Sequence, residues 1–340
     1  MNTQRIASFE WGRVAALFAV IIIHSQAFMT GPFYNDQPWL GLILNQLSRF
    51  AVPLFFILAG YFIMPKLKIA PSVTFRCYSL PLLKIWLIWS VIYLLLPFNA
   101  EIVFTQGYLA ERVGYWQYLL QHPLNSLFEG GLVHLWYIPA LLCGLAILAV
   151  CCHYKQEKWL LLVGSVLYIY GLMAGSYAPI YDLPAPIFTR NGPFLSTLML
   201  SIGFIIHQNK LRVSSPIAAS IAVIGMMLHL GEAFFLTRYD LPFNGHDFLM
   251  GTLLWATGIF LLLANKPDFG RSTFTFAISQ NTLGIYLCHM MILILLLNLF
   301  PYTGFPAYVT DILRIVLTFL LSLGLIRLLS IIPSGRLLLR

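Results

Sequence analysis

Charged side chains are scarce in this sequence. Asp, Glu, Lys and Arg make up 9% of its 340 residues, whereas 59% are hydrophobic and the mean hydropathy is +0.82. Soluble domains carry about 25% charged residues, so a water-exposed surface cannot be built from this composition. The scarcity excludes an ordinary soluble domain and predicts that lipid covers much of the surface.

The familiar motifs of soluble enzymes and metal sites are missing as well. The sequence has no Walker A motif, no Gly-x-Ser-x-Gly, no His-Glu-x-x-His and no Gly-x-Gly-x-x-Gly. Its five cysteines and eight histidines show neither zinc-ligand spacing nor a disulfide framework. We therefore expect no metal site and no permanently bound cofactor. The net charge of +8 does not indicate a nucleic-acid partner, because the basic residues lie in short clusters between apolar runs.

Long apolar segments dominate what is present. A bilayer core requires roughly 20 apolar residues per helix, and the pattern predicts an all-α polytopic membrane protein, a bundle of about ten transmembrane helices in a single domain over residues 1–340. The first segment contains charges and lacks a small-x-small cleavage site, so we interpret it as a retained span rather than a signal peptide. The predicted spans are 9–28, 39–63, 78–97, 133–152, 158–177, 194–207, 214–236, 247–264, 276–300 and 307–332.

The distribution of basic residues predicts the orientation. With the N-terminus in the cytoplasm, three basic residues fall in outer loops, namely Arg112, Arg190 and Arg238. Inner segments are expected to carry the excess of Lys and Arg, and an even number of spans returns the C-terminus to the cytoplasm. Twelve basic residues fall inside: Arg5, Lys66, Lys68, Arg76, Lys155, Lys158, Lys210, Arg212, Lys266, Arg271, Arg336 and Arg340.

The longest loop, residues 98–132, lies outside in this arrangement. It is too short for a domain and carries interleaved charged and aromatic residues. It is expected to form an interfacial helix or a lid over a membrane pocket.

Ionisable residues inside the membrane are the candidate functional residues. Each costs roughly 2.5–3.5 kcal/mol on insertion scales, so such residues usually face the bundle interior. In the first span Arg13 and His24 are eleven positions apart, which places them on one helix face about 16 Å apart along the axis. Glu10 lies one turn before Arg13 and can pair with it. The alternative is an arginine anchored at the headgroups and a histidine that caps the outer end.

Arg49 lies in the outer half of the second span, close to Pro53. Proline removes a backbone donor and favours a kink there, and a kink beside a buried arginine suits a polar cavity. The alternative is that Arg49 extends to the membrane interface.

Two later spans carry polar and aromatic residues with two interpretations each. The aromatic residues at the start of the fourth span either belong to an interfacial belt, of which they are typical, or stack on a sugar. In the ninth span the polar groups either bind substrate or hydrogen-bond between helices. These residues are His134, Trp136 and Tyr137 in the fourth span, and Asn281, Tyr286 and His289 in the ninth.

Four of these fragments, taken in order, resemble the acyltransferase 3 family of membrane O-acyltransferases. The family's first span reads Asp-x-x-Arg, then ten residues, then His, and here Glu10, Arg13 and His24 match with Glu in place of Asp. The other three resembling fragments are Val52 to Phe62, with Ala59 where Ser is common, Leu135-Trp136-Tyr137, and Ile285-Tyr286-Leu287-Cys288-His289.

The resemblance implies an enzyme of the bacterial inner membrane. It implies transfer of an acyl group, commonly acetyl, from cytoplasmic acyl-CoA to a hydroxyl of an exopolysaccharide, O-antigen unit or other surface glycan. The donor is then a substrate, acetyl-CoA or another acyl-CoA, and the other partners are a polysaccharide or lipid-linked glycan and membrane lipids. The chain resembles the stand-alone members that lack an appended SGNH hydrolase-like domain.

The residue chemistry fits this activity. A neutral imidazole within hydrogen-bond reach can accept the proton of an attacking sugar hydroxyl, so His24 is the candidate general base. Arg13, held by Glu10, is a candidate for a CoA phosphate or pyrophosphate, and Arg49 for the acceptor or an oxyanion. A covalent acyl-histidine intermediate stays open. The competing hypothesis is a transporter or flippase for a lipid-linked sugar or small anion, since buried Arg and His also mark transport pathways. A structural subunit of an export complex is a third.

Overall fold

The computed structural model describes residues 5–339, which form helices and turns without a β-strand. Arg340, counted above among the inner basic residues, lies outside the described residues. Short 3₁₀ turns join several of the helices. In chain order the α-helices are α1 Ala7–Ser25, α2 Trp39–Leu47, α3 Ala51–Ile69, α4 Pro71–Leu95, α5 Ala100–Gln106, α6 Tyr108–Gln121, α7 Pro123–Glu129, α8 Tyr137–His153, α9 Leu160–Met173, α10 Ala178–Tyr181, α11 Pro193–Gln208, α12 Ser215–Leu236, α13 Met250–Asn265, α14 Thr273–Ser279, α15 Thr282–Leu299 and α16 Ala307–Ile331.

Seven helical segments of the described chain are long and apolar enough to cross a membrane, judged by length and composition. This confirms an all-helical chain of the kind that spans a membrane several times. Two further apolar helices, α11 and α13, are shorter. The seven segments are Ala7–Ser25, Trp39–Ile69, Pro71–Leu95, Val133–His153, Ser215–Tyr239, Thr282–Tyr302 and Ala307–Ile331.

Two predicted spans are interrupted. The second span is divided between α2 and α3, with the break at residues 48–50, so Pro53 lies in the first turn of α3 rather than at a kink within a continuous helix. Proline is tolerated in a first turn, where its missing N–H would have no intrahelical partner. The ninth span is likewise divided, and Gln280 and Asn281 separate α14 from α15.

Glycines allow the central helices to approach closely. A Cβ on Gly60 of α3 would lie 2.0 Å from the carbonyl oxygen of Leu200, and a Cβ on Gly203 of α11 would lie 1.9 Å from that of Ile57. Small residues let helix backbones come together in membranes, where burial of apolar surface drives association little. The backbones of α3 and α11 therefore pack closely, and Phe56 of α3 is fully buried in the core.

The loop at residues 98–132 folds into α5, α6 and α7. Arg112, predicted in an outer loop, is fully buried and forms an ion pair with Glu111. Its guanidinium also donates to the carbonyl oxygen of Tyr93 at 3.3 Å and lies over the Phe98 ring, 4.4 Å from the ring centroid. The hydrogen bond from Arg112 to the Tyr93 carbonyl joins this segment to the end of α4.

Candidate functional site

The first span carries Arg13 at one end of a cavity. The Arg13 guanidinium forms an ion pair with the Glu10 carboxylate at 3.2 Å, as the spacing predicted. It also lies over the Phe62 ring, 5.0 Å from the ring centroid. The cavity has a volume of about 250 Å³. From α1 it is lined by Arg13, Leu17 and Val20, which share one helix face.

The remaining walls of this cavity are mainly apolar and aromatic. Val52 and Phe55 come from α3, while Tyr137 at the start of α8 and Tyr286 of α15 form the far wall. Tyr137 is held by stacking on Phe56, with ring centroids 4.8 Å apart. A mostly apolar chamber with one arginine suits an elongated ligand that has an apolar arm and an anionic end.

A second cavity, of about 500 Å³, opens on the other side of the Glu10–Arg13 pair. Its lining includes Glu10 together with Arg5, Arg271 and Ser272. Glu10 borders this cavity and Arg13 borders the first, so the ion pair lies between the two. Cationic side chains here suit an anionic ligand.

Three histidines from three helical segments meet beyond the aromatic wall. The ring centroid of His24 lies 5.4 Å from that of His289 and 6.3 Å from that of His134, and the latter two are 5.2 Å apart. Tyr286 connects this cluster with the Arg13 cavity, because it lines the cavity and its hydroxyl donates to the carbonyl oxygen of His134. On α1 the cavity lining ends at Val20, one turn before His24.

Backbone carbonyls fix the proton positions of two of these rings. Nδ1 of His289 lies 2.6 Å from the carbonyl oxygen of Tyr286, and Nε2 of His134 lies 3.4 Å from that of Leu287. A carbonyl only accepts, so each of these nitrogens carries its proton when neutral and the opposite nitrogen presents a lone pair. Those opposite nitrogens, Nε2 of His289 and Nδ1 of His134, are buried without a partner. Buried polar atoms usually have partners, so the cluster lacks hydrogen-bond donors.

His24 differs from the other two histidines. It is partly exposed, and within residues 5–339 neither of its ring nitrogens makes a hydrogen bond. Each of the three rings therefore has a nitrogen that can accept a proton, and His24 is the one that is partly exposed and that no backbone carbonyl holds. Among the described residues no three His, Cys, Asp or Glu side chains are arranged to hold a metal ion.

Arg49 belongs to an ionic network that the sequence did not indicate. Its Nη1 donates to Asp247 at 2.6 Å, and the other Asp247 oxygen accepts from Arg190 at 2.8 Å. Arg190 also donates to Glu129 at 2.8 Å. Burial by itself raises the pKa of Asp247, but Arg190 and Arg49 outweigh it and lower the pKa to about 2. The four charges neutralise one another in a region of low exposure.

This network borders a third cavity and also reaches α1. A cavity of about 580 Å³ is lined by Arg190, His246 and Asp247 among others. Arg49 donates through Nε to the amide oxygen of Asn45 at 3.2 Å, and the Asn45 amide donates to the carbonyl oxygen of Ile23 at 3.3 Å. Through Asp247 and Asn45, Arg49 thus connects the third cavity with the residue before His24.

The remaining predicted site residues lie apart from this centre or beside it. Asn281 donates to the carbonyl oxygen of Ala277 at 2.7 Å and lines a separate cavity with Ile326, away from the histidines. Asn281 precedes the first residue of α15, so about 12 Å of helix rise separates it from His289. Trp136 is half-buried, with its ring 6.4 Å from Phe56.

Sequence reasoning missed the network of Glu129, Arg190 and Asp247 to which Arg49 belongs. The sequence places Arg190 in an outer loop and Asp247 at the first position of the predicted eighth span. The one available signal was that a buried arginine requires a carboxylate, and that requirement does not say which carboxylate.

The fold and the buried polar centre define a multi-pass membrane protein. The chain belongs to the acyltransferase 3 family: the family model, described as an acyltransferase domain, matches residues 6–331. Family membership supports a membrane acyltransferase and confirms the resemblance seen in the sequence.

The chain is also similar to three longer proteins. A serine/alanine racemase of Enterococcus gallinarum is 27% identical over 254 residues, which are 68% of this chain and 33% of that protein. Two amino-acid racemases of Enterococcus faecalis are 26% and 24% identical over 275 and 323 residues, which cover 74% and 88% of this chain. The chain spans 33–42% of the length of these relatives. No solved structure matches the chain.

Proposed function

We propose that this protein is an O-acyltransferase, most simply an O-acetyltransferase, of the bacterial inner membrane. It moves an acyl group from cytoplasmic acyl-CoA to a hydroxyl of an exopolysaccharide, an O-antigen unit or a related surface glycan. The observation that carries the proposal is the shared face of α1, where Arg13 borders a largely apolar cavity and His24 lies in a histidine cluster behind the aromatic wall of that cavity.

The donor fits the cavity at Arg13. In this proposal the thioester and pantetheine arm of acyl-CoA occupy the apolar chamber, while Arg13 contacts a phosphate or the pyrophosphate. Glu10 fixes the Arg13 guanidinium at 3.2 Å. Arg5 and Arg271 line the neighbouring cavity and supply further positive charge for the nucleotide end.

The acceptor fits the histidine cluster. The unpartnered Nδ1 of His134 and Nε2 of His289 both lack a donor, and sugar hydroxyls supply donors. Trp136 and Tyr137 offer aromatic faces to a sugar ring. Each of the three Arg49 nitrogens already donates within the protein, to Asn45, Asp247 and the carbonyl of Asn244, so in this proposal Arg49 shapes the acceptor side and does not stabilise an oxyanion directly.

The chemistry is a single acyl transfer. His24 takes the proton from the acceptor hydroxyl as its oxygen forms a bond to the acyl carbon. The carbon–sulfur bond of the thioester then breaks, and the proton passes from His24 to the departing CoA thiolate. The products are the ester and free CoA, and His24 returns to its neutral form.

The proposal includes the orientation. The N- and C-termini face the cytoplasm, and about ten helices cross the bilayer: the seven long segments together with α9, α11 and α13. The basic residues of the inner segments support this direction. It places Arg13 towards the cytoplasmic donor and His24 towards the outer half.

Purified protein in detergent or liposomes, supplied with radiolabelled acetyl-CoA, tests the function. Release of CoA together with label on an added glycan, or slow hydrolysis without one, is the expected result. Mass spectrometry of surface glycans from cells with and without the protein identifies the acceptor. If the protein consumes no acetyl-CoA but moves a sugar or small anion across liposomes, the transporter hypothesis replaces this one. Racemisation is not part of the proposal, since the chain covers at most 42% of the racemases it resembles.

A further inference from the structure

The two peptide carbonyls on either side of His24 are each held by a side chain from another helix. The last carbonyls of an α-helix have no intrahelical partner, and His24 is the penultimate residue of α1. The carbonyl oxygen of Ile23 accepts from Asn45 of α2 at 3.3 Å, and that of Ser25 accepts from Arg314 of α16 at 3.0 Å. The backbone at His24 is thus fixed from two sides.

Arg314 is itself fixed by a buried carboxylate. Its Nη2 donates to Oδ1 of Asp311 at 2.5 Å, and Oδ2 of Asp311 accepts from the backbone N–H of Phe28 at 2.9 Å. Asp311 is 1% exposed. The pair therefore holds both ends of the turn that follows His24, from the carbonyl of Ser25 to the amide of Phe28.

The orientation of the His24 ring depends on these backbone contacts. The rings of His134 and His289 depend on them less. Each of those two rings has a carbonyl partner, whereas the His24 ring makes no hydrogen bond with any residue in the range 5–339. Ring packing alone leaves an imidazole free to shift with its backbone. The side chain that must meet a hydroxyl is therefore positioned through the end of α1.

Stability alone does not account for the ion pair of Asp311 and Arg314. Charged residues within membrane helices cost roughly 2.5–3.5 kcal/mol each on insertion scales, and a buried ion pair often adds no net stability over apolar residues of similar size. An arginine at the carboxyl end of α1 is also favourably placed against the helix dipole. The pair makes its remaining hydrogen bonds with the turn that follows His24, the candidate base.

We propose that Asp311 and Arg314 are a positioning pair for His24. They hold the end of α1 so that the imidazole meets the acceptor hydroxyl in reactive geometry, without contacting either substrate. The inference rests on the proposed function in one respect, namely that His24 acts as the base. Displacement of a reacting group by about 1 Å can cost up to about 10²-fold in rate.

The test uses Arg314→Lys, which keeps the charge and one donor, and Asp311→Asn. The matched controls are Arg112→Lys and Glu111→Gln, since Glu111 also pairs with an arginine and accepts from backbone N–H groups, of Phe98 at 2.9 Å and Asn99 at 3.3 Å, but holds no part of α1. Two readouts are made on the folded, monodisperse fraction of the full-length protein. One is the transfer rate with its pH profile, and the other is the rate of His24 modification by diethyl pyrocarbonate, read by peptide mass spectrometry.

The positioning pair predicts a roughly 10-fold or greater fall in kcat, little change in KM for acetyl-CoA, a shifted pH midpoint and a severalfold change in His24 modification. The controls keep wild-type values per folded molecule. Wild-type kcat, pH midpoint and labelling in both Asp311→Asn and Arg314→Lys, with only a lower yield, would overturn the proposal. If Asp311→Asn does not fold, Arg314→Lys decides. If wild-type protein transfers no acyl group, the proposed function fails and the labelling still decides whether the pair positions His24.

Discussion

The imidazole rings of His24 and His289 lie with their centroids 5.4 Å apart, and Nε2 of His289 is buried without a hydrogen-bond partner. The two rings come from α1 and α15, near opposite ends of the chain. In the proposed mechanism the reacting hydroxyl donates its one proton to His24, and a neighbouring hydroxyl of the acceptor donates to Nε2 of His289. His24 is the ring of this pair for which neither nitrogen has a hydrogen-bond partner among residues 5–339.

Replacement of His24 by alanine is expected to abolish acyl transfer and leave the folded protein intact. General base catalysis contributes roughly 10²–10⁴-fold, and the His24 ring has no hydrogen bond to lose in the described chain. The measurement is transfer from radiolabelled acetyl-CoA by purified variant, normalised to the monodisperse fraction. His153→Ala, at an exposed histidine, is the control. Full activity of His24→Ala would remove this residue from the mechanism.

Replacement of Arg13 by glutamine is expected to weaken donor binding. A hydrogen bond to a charged group contributes about 1.5–3 kcal/mol, which corresponds to a rise of roughly 10- to 100-fold in KM for acetyl-CoA. Acetyl-pantetheine has no phosphate for Arg13 to contact, so wild type and variant should use it equally well. Arg76→Gln, at an exposed arginine, is the control. Equal losses with both donors would show that Arg13 supports the fold rather than the CoA phosphates.

The close approach of α3 and α11 predicts that Gly203→Ala destabilises the bundle. The added Cβ would lie 1.9 Å from the carbonyl oxygen of Ile57, and overpacking of a dense core costs about 1–3 kcal/mol. Gly231→Ala in α12 is the matched control, because nothing lies within 4 Å of its Cβ. Thermal unfolding in detergent should show a lower Tm for the first variant and a Tm no lower than wild type for the second. The same Tm in both variants would refute the tight contact.

The sequence predicted the positions of the helices well, because apolar run length decides them. The last span was expected at 307–332 and is found at Ala307–Ile331, and the seventh was expected at 214–236 and is found at Ser215–Leu236. The break before Ala51 was missed, since an apolar run looks the same whether the helix continues or is interrupted. The orientation of side chains within one helix was also predictable, as Glu10 and Arg13 show.

Contacts between distant segments were not predictable from one sequence. His24, His134 and His289 were each singled out, but nothing in their spacing indicated that they meet. The same holds for the bridge from Arg49 through Asp247 to Arg190, which joins α2–α3 to two loops. Helical periodicity relates residues within a turn or two, whereas these contacts depend on how helices pack.

The ion pairs of Asp247 with Arg49 and Arg190 predict a pH-dependent contribution to the stability of the protein, which the Asp247→Asn variant should lack. Asp247 has a pKa lowered to about 2, despite burial, by Arg190 and Arg49, while an unfolded aspartate titrates at about 3.9. A lowered pKa stabilises the folded state at pH values above the unfolded pKa, and this contribution is lost as pH falls from about 4 to about 2. Because the side chain is 29% exposed, solvent screening reduces the contribution to about 1–2 kcal/mol.

Asp247→Asn should therefore lower Tm in detergent at pH 6, and the gap to wild type should close as pH falls from about 4 to about 2. At low pH the wild-type carboxyl is also neutral, so Arg49 and Arg190 face each other in both proteins without this charge between them. Asp268→Asn is the control, since Asp268 forms an ion pair with Arg271 but is 75% exposed, and exposed pairs contribute about 0–1 kcal/mol. A gap between wild type and Asp247→Asn of the same size at every pH would mean that the loss comes from altered packing. A gap that closes only for Asp247→Asn identifies the charge on this carboxylate as what holds the two arginines together.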